Sequence, residues 1–146
     1  MDNVVLAVLA MDTIDTMTRG GIEKEEIGVA HLVKHHGHEC WKQCSYNSRY
    51  GIHYDRETGE PSGKPAFRAN YPGIGWYYNS EHDIFHPAKP ENCDSWSLNT
   101  TTGMWDAPIP QPVITEEQRE AGSYYRWDES AYQADNTTGW VLVTRE

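Results

Sequence analysis

The chain has 146 residues, a length typical of one compact domain, and carries 22 Asp and Glu against 12 Lys and Arg. Its net charge of −10 argues against a nucleic-acid partner, because binding the phosphate backbone requires an excess of basic side chains. The aromatic content (6 Trp, 9 Tyr and 2 Phe) is higher than that of disordered chains of similar polarity. No apolar run approaches the roughly 20 residues of a membrane span, so we expect no membrane partner either.

All aromatic residues follow residue 40, which divides the chain into two regions, 1–40 and 41–146. In the first region, the β-branched run from Val4 to Leu9 has the length of a strand. Residues 23–37 begin with acidic side chains, end with His and Lys, and place Gly37 where a C-capping glycine belongs, which predicts a helix. We expect both regions to pack as one compact unit.

The second region is rich in Pro, Gly and aromatic residues, a composition typical of short strands and hairpins. Its first part, residues 45–70, is predicted to be irregular around a polar loop. The aromatic side chains expected to anchor the packing of this part are Tyr46, Tyr50, Tyr54, Phe67 and Tyr71.

Three later segments, 75–87, 95–108 and 124–143, each place an aromatic residue on both arms of a turn. This layout predicts three antiparallel hairpins that are stabilised by cross-strand aromatic pairs. A single helical turn, capped by Thr115 and ended by Gly122, is predicted before the third hairpin. The predicted fold class is therefore α+β and mostly β, with an N-terminal strand and helix, an irregular region and three hairpin units.

Histidine and cysteine residues are concentrated around the end of the predicted helix. Imidazole and thiolate are ligands that zinc prefers, but their spacing here matches no common zinc finger. A solvated helix C-terminus, where cationic His is favourable, is the simpler explanation. We therefore predict no metal and no cofactor. The residues concerned are His31, His35, His36, His38, Cys40 and Cys44.

No established catalytic motif is present: the chain has no Gly-rich phosphate loop, nucleophile elbow or H-E-x-x-H sequence. His82 and Asp83 flank a predicted turn, and Asp106 follows Trp105. Acidic residues near aromatic ones are an arrangement that a glycosidase carboxylate pair would share. Carboxylates at hairpin turns are nevertheless ordinary turn residues. We predict that the protein is not an enzyme.

The aromatic side chains have two plausible roles. Most are expected to form the core, because residues 41–146 contain few Leu, Ile and Val. A few could instead bind a partner protein or ligand, since Trp and Tyr are enriched in binding hot spots. Trp105, Trp127 and Trp140 are the candidate docking residues. The two Asn-Thr-Thr sequences, at Asn99 and Asn136, are interpreted as turns rather than as glycosylation sites.

Several motifs resemble a family of small virion proteins encoded by marine tailed phages, especially cyanophages. The longest is Phe-Arg-Ala-Asn-Tyr-Pro-Gly-Ile-Gly-Trp-Tyr-Tyr-Asn at residues 67–79. The resemblance covers nearly the whole chain and carries no catalytic residues with it. The other motifs lie at residues 2–5, 26–32, 41–47, 53–62, 83–90, 95–99 and 104–108.

The resemblance implies a structural protein of the virion that is made in the host cytoplasm. Its expected partners are other virion proteins, above all the major capsid protein, and a homo-oligomer is a further candidate. One role is a decoration or cement protein on the outer head surface. The alternative is a tail fibre, baseplate or host-adhesion component that binds a host glycan or a neighbouring tail subunit. The chain lacks the repeats and heptads of a fibre shaft, which favours decoration.

Overall fold

The computed structural model describes residues 3–4, 7–10, 22–37 and 41–145. Within them the chain forms twelve short strands and three helices, so the predicted mostly-β, α+β class is confirmed. Among these helices, none combines the length and the apolar character that crossing a membrane requires.

Two compact units are present, and they do not divide near residue 40. The first unit comprises residues 1–88 and 99–104, and the second comprises residues 89–98 and 105–146. The division lies inside the aromatic region because strands from both sides of residue 40 pair with each other.

The first unit contains one helix and three small sheets. The first sheet is antiparallel with the order β1-β7-β8, the second is the parallel pair β2-β3, and the third is antiparallel with the order β4-β5-β6. The elements are β1 (Asn3–Val4), β2 (Ala7–Ala10), α1 (Ile22–His36), β3 (Trp41–Cys44), β4 (Ser48–Arg49), β5 (Ile52–Tyr54), β6 (Pro61–Pro65), β7 (Tyr77–Asn79) and β8 (Ile84–His86).

The predicted N-terminal strand and helix are both present in the first unit. The strand consists of β1 and β2, with residues 5 and 6 outside the described ones. The helix ends as predicted, since Gly37 has a φ of 75° and its N–H donates to the carbonyl of Val33 at 2.8 Å. Because β2 and β3 are parallel, the chain between them must cross over, and α1 provides that connection.

The segment predicted to be irregular contains the three strands β4, β5 and β6. Prolines at both ends of β6 obscured this strand, and they are tolerated because β6 is an edge strand. The predicted polar loop is a turn between β5 and β6. In this turn the Asp55 carboxylate accepts the N–H groups of Glu57 and Thr58.

The first predicted hairpin is formed by β7 and β8. Tyr78 lies directly opposite Phe85 across the strands, with ring centroids 5.4 Å apart, so the expected cross-strand aromatic pair is present. Phe85 is fully buried, and both Ile84 and His86 beside it are also buried. This hairpin therefore carries the centre of the core of the first unit.

The other two predicted hairpins are also present. The pair β9-β10 has its tip, residues 99–104, in the first unit and its arms in the second. The pair β11-β12 encloses a short helix that replaces a simple turn. The elements are β9 (Ser97–Asn99), β10 (Met104–Asp106), α2 (Glu116–Glu120), β11 (Ser123–Trp127), α3 (Glu129–Ala134) and β12 (Trp140–Thr144).

Short-range polar contacts shape these connections, as the sequence predicts. The Asn99 side chain accepts the N–H groups of Thr101 and Thr102, so the first Asn-Thr-Thr sequence is a turn. Thr115 caps α2 through a reciprocal capping box with Gln118. Asn136 follows Asp135, whose carboxylate accepts the N–H of Thr137, so the second Asn-Thr-Thr sequence also lies in a turn.

The core is small, and the aromatic residues fill it less completely than expected. Among the described residues, the buried hydrophobic ones are Cys44, Ala69, Ile84, Phe85 and Cys93. Most other aromatic side chains are half-buried. Four are exposed, including three of the five expected packing anchors: Tyr46, Tyr50, Phe67 and Tyr124.

Candidate functional site

An open cleft of about 470 Å³ lies in the first unit. This volume is within the range of about 300–1,000 Å³ that is usual for small-molecule sites. Three chain segments form it: residues 65–69, the β7-β8 turn at residues 82–84, and the tip of the second hairpin at residues 100–101. Gly51 completes the lining.

The backbone around the cleft is unusually strained. Tyr50, Arg68, Ala69 and Asp83 all have positive φ angles between 50° and 59°, a region that residues other than glycine rarely adopt. At Gly51, with a φ of 73°, a Cβ atom would lie 2.4 Å from the Thr101 carbonyl oxygen, so no larger residue fits. Such strained residues cluster at functional sites and persist where the surrounding structure holds them.

The buried amide of Asn70 is one of the groups that hold this backbone. Its Oδ1 accepts the N–H of Tyr50 at 2.7 Å. Its Nδ2 donates to the carbonyls of Phe85 at 3.1 Å and Thr102 at 2.7 Å. A single side chain therefore connects three segments of the first unit that are far apart in sequence.

Arg68, which is one of the residues that line the cleft, connects four parts of the first unit. Its guanidinium donates to both carboxylate oxygens of Glu25, at 2.7 and 2.8 Å, in a bidentate ion pair. It also donates to the carbonyl of Gln43 at 2.9 Å and, through Nε, to Oδ1 of Asp83 at 2.7 Å. The side chains of Arg68 and Glu25 are only 8% and 14% exposed.

Electrostatics in this network reinforce the ion pairs. Burial alone would raise the pKa of Glu25, but the hydrogen bonds from Arg68 and the Gln43 N–H, with the charges of Arg68 and Lys42, lower it. Burial and the hydrogen bond that its hydroxyl donates to Asp83 raise the pKa of Tyr78 to about 12. The network therefore keeps Glu25 ionised and Tyr78 protonated at neutral pH.

Polar groups on the cleft wall remain available to a ligand. The Asp83 side chain is 59% exposed, and its Oδ1 is occupied by Arg68 and Tyr78. Within the described part of the chain, Oδ2 of Asp83, the His82 ring and the hydroxyl of Thr101 make no hydrogen bond to another side chain. The exposed ring of Phe67 lies beside them, with the Arg68 guanidinium 5.0 Å from its centroid.

The second unit contains a cluster of aromatic side chains, which we call the tryptophan cluster: Trp96, Trp127, Tyr132 and Trp140. Trp127 and Trp140 face each other across β11 and β12, with centroids 5.1 Å apart and planes at 73°. Trp96 lies 5.9 Å from both rings, and Tyr132 lies 5.3 Å from Trp127. These are the edge-to-face and tilted geometries that aromatic rings prefer.

Glu129 anchors the tryptophan cluster from α3. Its carboxylate accepts the indole N–H of Trp127 at 2.8 Å, the hydroxyl of Ser95 at 2.8 Å and the amide of Gln133 at 2.8 Å. It also accepts the backbone N–H of Ser95 at 3.1 Å. These hydrogen bonds, with that from Trp127 the largest, lower the pKa of Glu129 to about 2.

The three aromatic residues predicted to dock a partner have different surroundings. Trp127 and Trp140 belong to the tryptophan cluster, and the indole N–H of Trp140 donates to the Ile109 carbonyl at 3.0 Å. Trp105 is half-buried, with the ammonium of Lys89 5.2 Å from its ring centroid. The indoles of Trp127 and Trp140 thus use their polar atoms within the second unit, and their docking role stays a prediction.

Part of the predicted His and Cys cluster lies outside the described residues, namely His38 and Cys40. His31 and His35 have ring centroids 4.5 Å apart on α1, and Cys44 is buried on β3. Among described residues, no three His, Cys, Asp or Glu side chains are grouped to hold a metal ion. The absence of a metal therefore stays a prediction.

Sequence reasoning singled out His82 and Asp83 as candidate site residues and assigned Phe67 to the packing. It gave no binding role to Arg68 or to the threonines at the hairpin tip. The one sequence feature that indicated a special role for Arg68 is its position as a basic residue within the long motif at 67–79 of an acidic chain. Comparison with known proteins adds no further assignment, since no family model, curated protein or solved structure matches this chain.

Proposed function

We propose that the chain is an accessory structural protein of a phage virion that attaches as a decoration protein to the outer surface of the head. The proposal begins from the resemblance of its motifs to small virion proteins of marine tailed phages. It is supported by the way in which the molecule distributes its apolar side chains.

The observation that carries the proposal is the apolar surface of the β11-β12 hairpin. Directly opposed residues of an antiparallel pair share a face, so Tyr124 and Val143 lie on the face that also holds Arg126 and Val141. Tyr124 and Val141 are exposed on this face. The opposite face holds the Trp127–Trp140 pair together with Leu142, which is also exposed. A two-stranded sheet with apolar residues on both faces gains stability when a second layer covers the open face.

The distribution of hydrophobic side chains between the core and the surface supports the same function. Few hydrophobic residues are buried among those described, and ten large ones are exposed. A protein of this kind gains stability by binding a partner, as a subunit of an assembly does. The charge of −10 suits an outer position, because the protein would not compete for the packaged genome.

Counting copies of the chain in purified particles tests the proposal. A decoration protein should be present in numbers comparable to the major capsid protein, as measured by quantitative mass spectrometry. A copy number equal to a single ring of subunits would indicate the tail, either as fibre, baseplate or adhesion component. If washed particles do not contain the chain, both virion roles are wrong.

A substitution on the open hairpin face tests the docking surface. Val141→Glu places a charge on this face and should reduce the copy number per particle severalfold. Val113→Glu is the matched control, because Val113 is an exposed valine on the connector before α2. Equal incorporation of both variants would contradict a role for the β11-β12 face.

A further inference from the structure

We propose that the cleft of the first unit is a binding site for a neutral saccharide, with Phe67 as the stacking platform and Asp83, His82 and Thr101 as its hydrogen-bonding groups. This inference goes beyond the proposed function and does not depend on it. It rests on the shape of the cleft, on the groups that remain free in its wall and on the electrostatic balance around it.

The lining has the mixed character that a sugar ring requires. A pyranose has an apolar face of C–H groups and a rim of hydroxyls that both donate and accept hydrogen bonds. The exposed ring of Phe67 supplies an apolar surface, and the side chain at Thr101 supplies a hydroxyl. Oδ2 of Asp83 is an acceptor, and the His82 ring carries one donor and one acceptor when neutral.

The charges at the site favour a neutral ligand over an ion. The guanidinium of Arg68 is turned toward Glu25, Gln43 and Asp83 and is only 8% exposed, so it is not presented to an anion. Asp83 is the single carboxylate of the lining, and the Arg68 Nε lies 2.7 Å from its Oδ1. The charge that would attract a cation is therefore largely compensated.

The rigidity of the lining suits weak, polar recognition. Arg68, Ala69 and Asp83, which contribute to the wall, adopt left-handed conformations that the Asn70 and Arg68 hydrogen bonds maintain. A preformed site spends little of its binding free energy on ordering its own side chains. A binding site in the cleft would therefore explain why strained backbone conformations are concentrated around it.

Saturation-transfer NMR on the full chain tests the proposal with defined sugars. The probes are glucose, galactose, mannose, N-acetylglucosamine, lactose and chitobiose, with inorganic phosphate and free arginine as charged competitors. At least one neutral sugar should receive saturation from the protein and should not be displaced by either charged competitor. Absence of saturation for every neutral sugar, or displacement by a charged competitor, would overturn the proposal.

Substitutions place the binding in the cleft. Phe67→Leu keeps the apolar volume and removes the flat ring, and it should weaken binding about tenfold, which corresponds to 1.4 kcal/mol. Thr101→Val should weaken binding severalfold through the lost hydroxyl. Tyr46→Ala is the matched control, since Tyr46 is an exposed aromatic residue outside the cleft lining.

The fold of each variant is checked by its amide spectrum before binding is measured. Unchanged sugar binding in both Phe67→Leu and Thr101→Val, or an equal loss in Tyr46→Ala, would show that the cleft is not the site. Because sugar binding is measured on the isolated chain, it is independent of whether virions contain the protein.

Discussion

Replacing Arg68 by Met tests whether one buried ion pair holds the first unit together. The variant keeps an unbranched apolar stem beside Phe67 and removes the charge. Glu25, which is only 14% exposed, then loses both guanidinium hydrogen bonds and keeps the one from the Gln43 N–H. Removing one partner of a buried pair costs about 3–5 kcal/mol. We expect a loss of about 3 kcal/mol, because Asp83, the second partner, is exposed to water.

The chain contains a matched control for this substitution. Arg119 donates to Glu116 at 2.8 Å, close to the 2.7 Å of the Arg68 pair, but the two side chains are 67% and 72% exposed. Arg119→Met should therefore cost less than about 0.5 kcal/mol. The two substitutions are the same chemical change, so the difference between them measures burial of the ion pair together with the additional hydrogen bonds that Arg68 makes to Gln43 and Asp83.

Native-state hydrogen exchange, read by mass spectrometry, measures both variants. The free energy of opening is measured for each variant in the region that contains the substitution. These regions are residues 41–88 for Arg68→Met and residues 105–145 for Arg119→Met. The double variant Arg68→Met with Glu25→Gln should recover part of the loss, because no buried carboxylate is then left without its ion-pair partner. An Arg68→Met loss no larger than that of Arg119→Met would refute this reasoning.

Three further predictions concern other contacts in the two units. Phe85→Ala should lower the stability of the first unit to urea by about 3–5 kcal/mol, because this ring is fully buried, and a loss below about 1 kcal/mol would contradict its place in the core. Gly139→Ala should lower the thermal midpoint more than Gly59→Ala. Both glycines have positive φ, but a Cβ at 139 would lie 2.6 Å from the Trp127 ring whereas Gly59 faces open space; equal midpoints would argue against this collision. The pKa of Glu129 falls from an ordinary 4.5 to about 2 on folding, so its stabilising contribution is complete above pH 4.5 and is lost as the pH falls through 2. The near-UV circular dichroism of the indoles should change in this window, and Glu129→Gln should abolish that transition; a persisting transition would assign it to another group.

The parts of the fold that were predicted correctly depend on contacts between residues close in sequence. The helix α1 ends at Gly37 because a C-cap needs only local conformational freedom. The three hairpins follow from aromatic residues on both arms of a turn, and the Tyr78–Phe85 and Trp127–Trp140 pairs lie where that pattern puts them. The strand β6 was missed because its prolines indicate a loop in most contexts.

The candidate site depends on contacts that span long stretches of chain. Arg68 lies 43 residues from Glu25, and Asn70 lies 32 residues from Thr102. The left-handed backbone of Arg68 and Ala69 has no signal in residue type, since neither residue favours that conformation. Phe67 was expected to anchor the packing and is instead exposed beside the cleft.

The sequence by itself determined the mostly-β class, the helix, the three hairpins and the aromatic pairs of the first and third hairpins. These features follow from residue periodicity and turn chemistry over a few positions. The tertiary structure alone decided where the compact units divide, which aromatic rings are exposed and which charges are buried. Those properties depend on which distant segments come together. For this reason Arg68 is buried, whereas Arg119, which also pairs with a glutamate, is exposed to solvent.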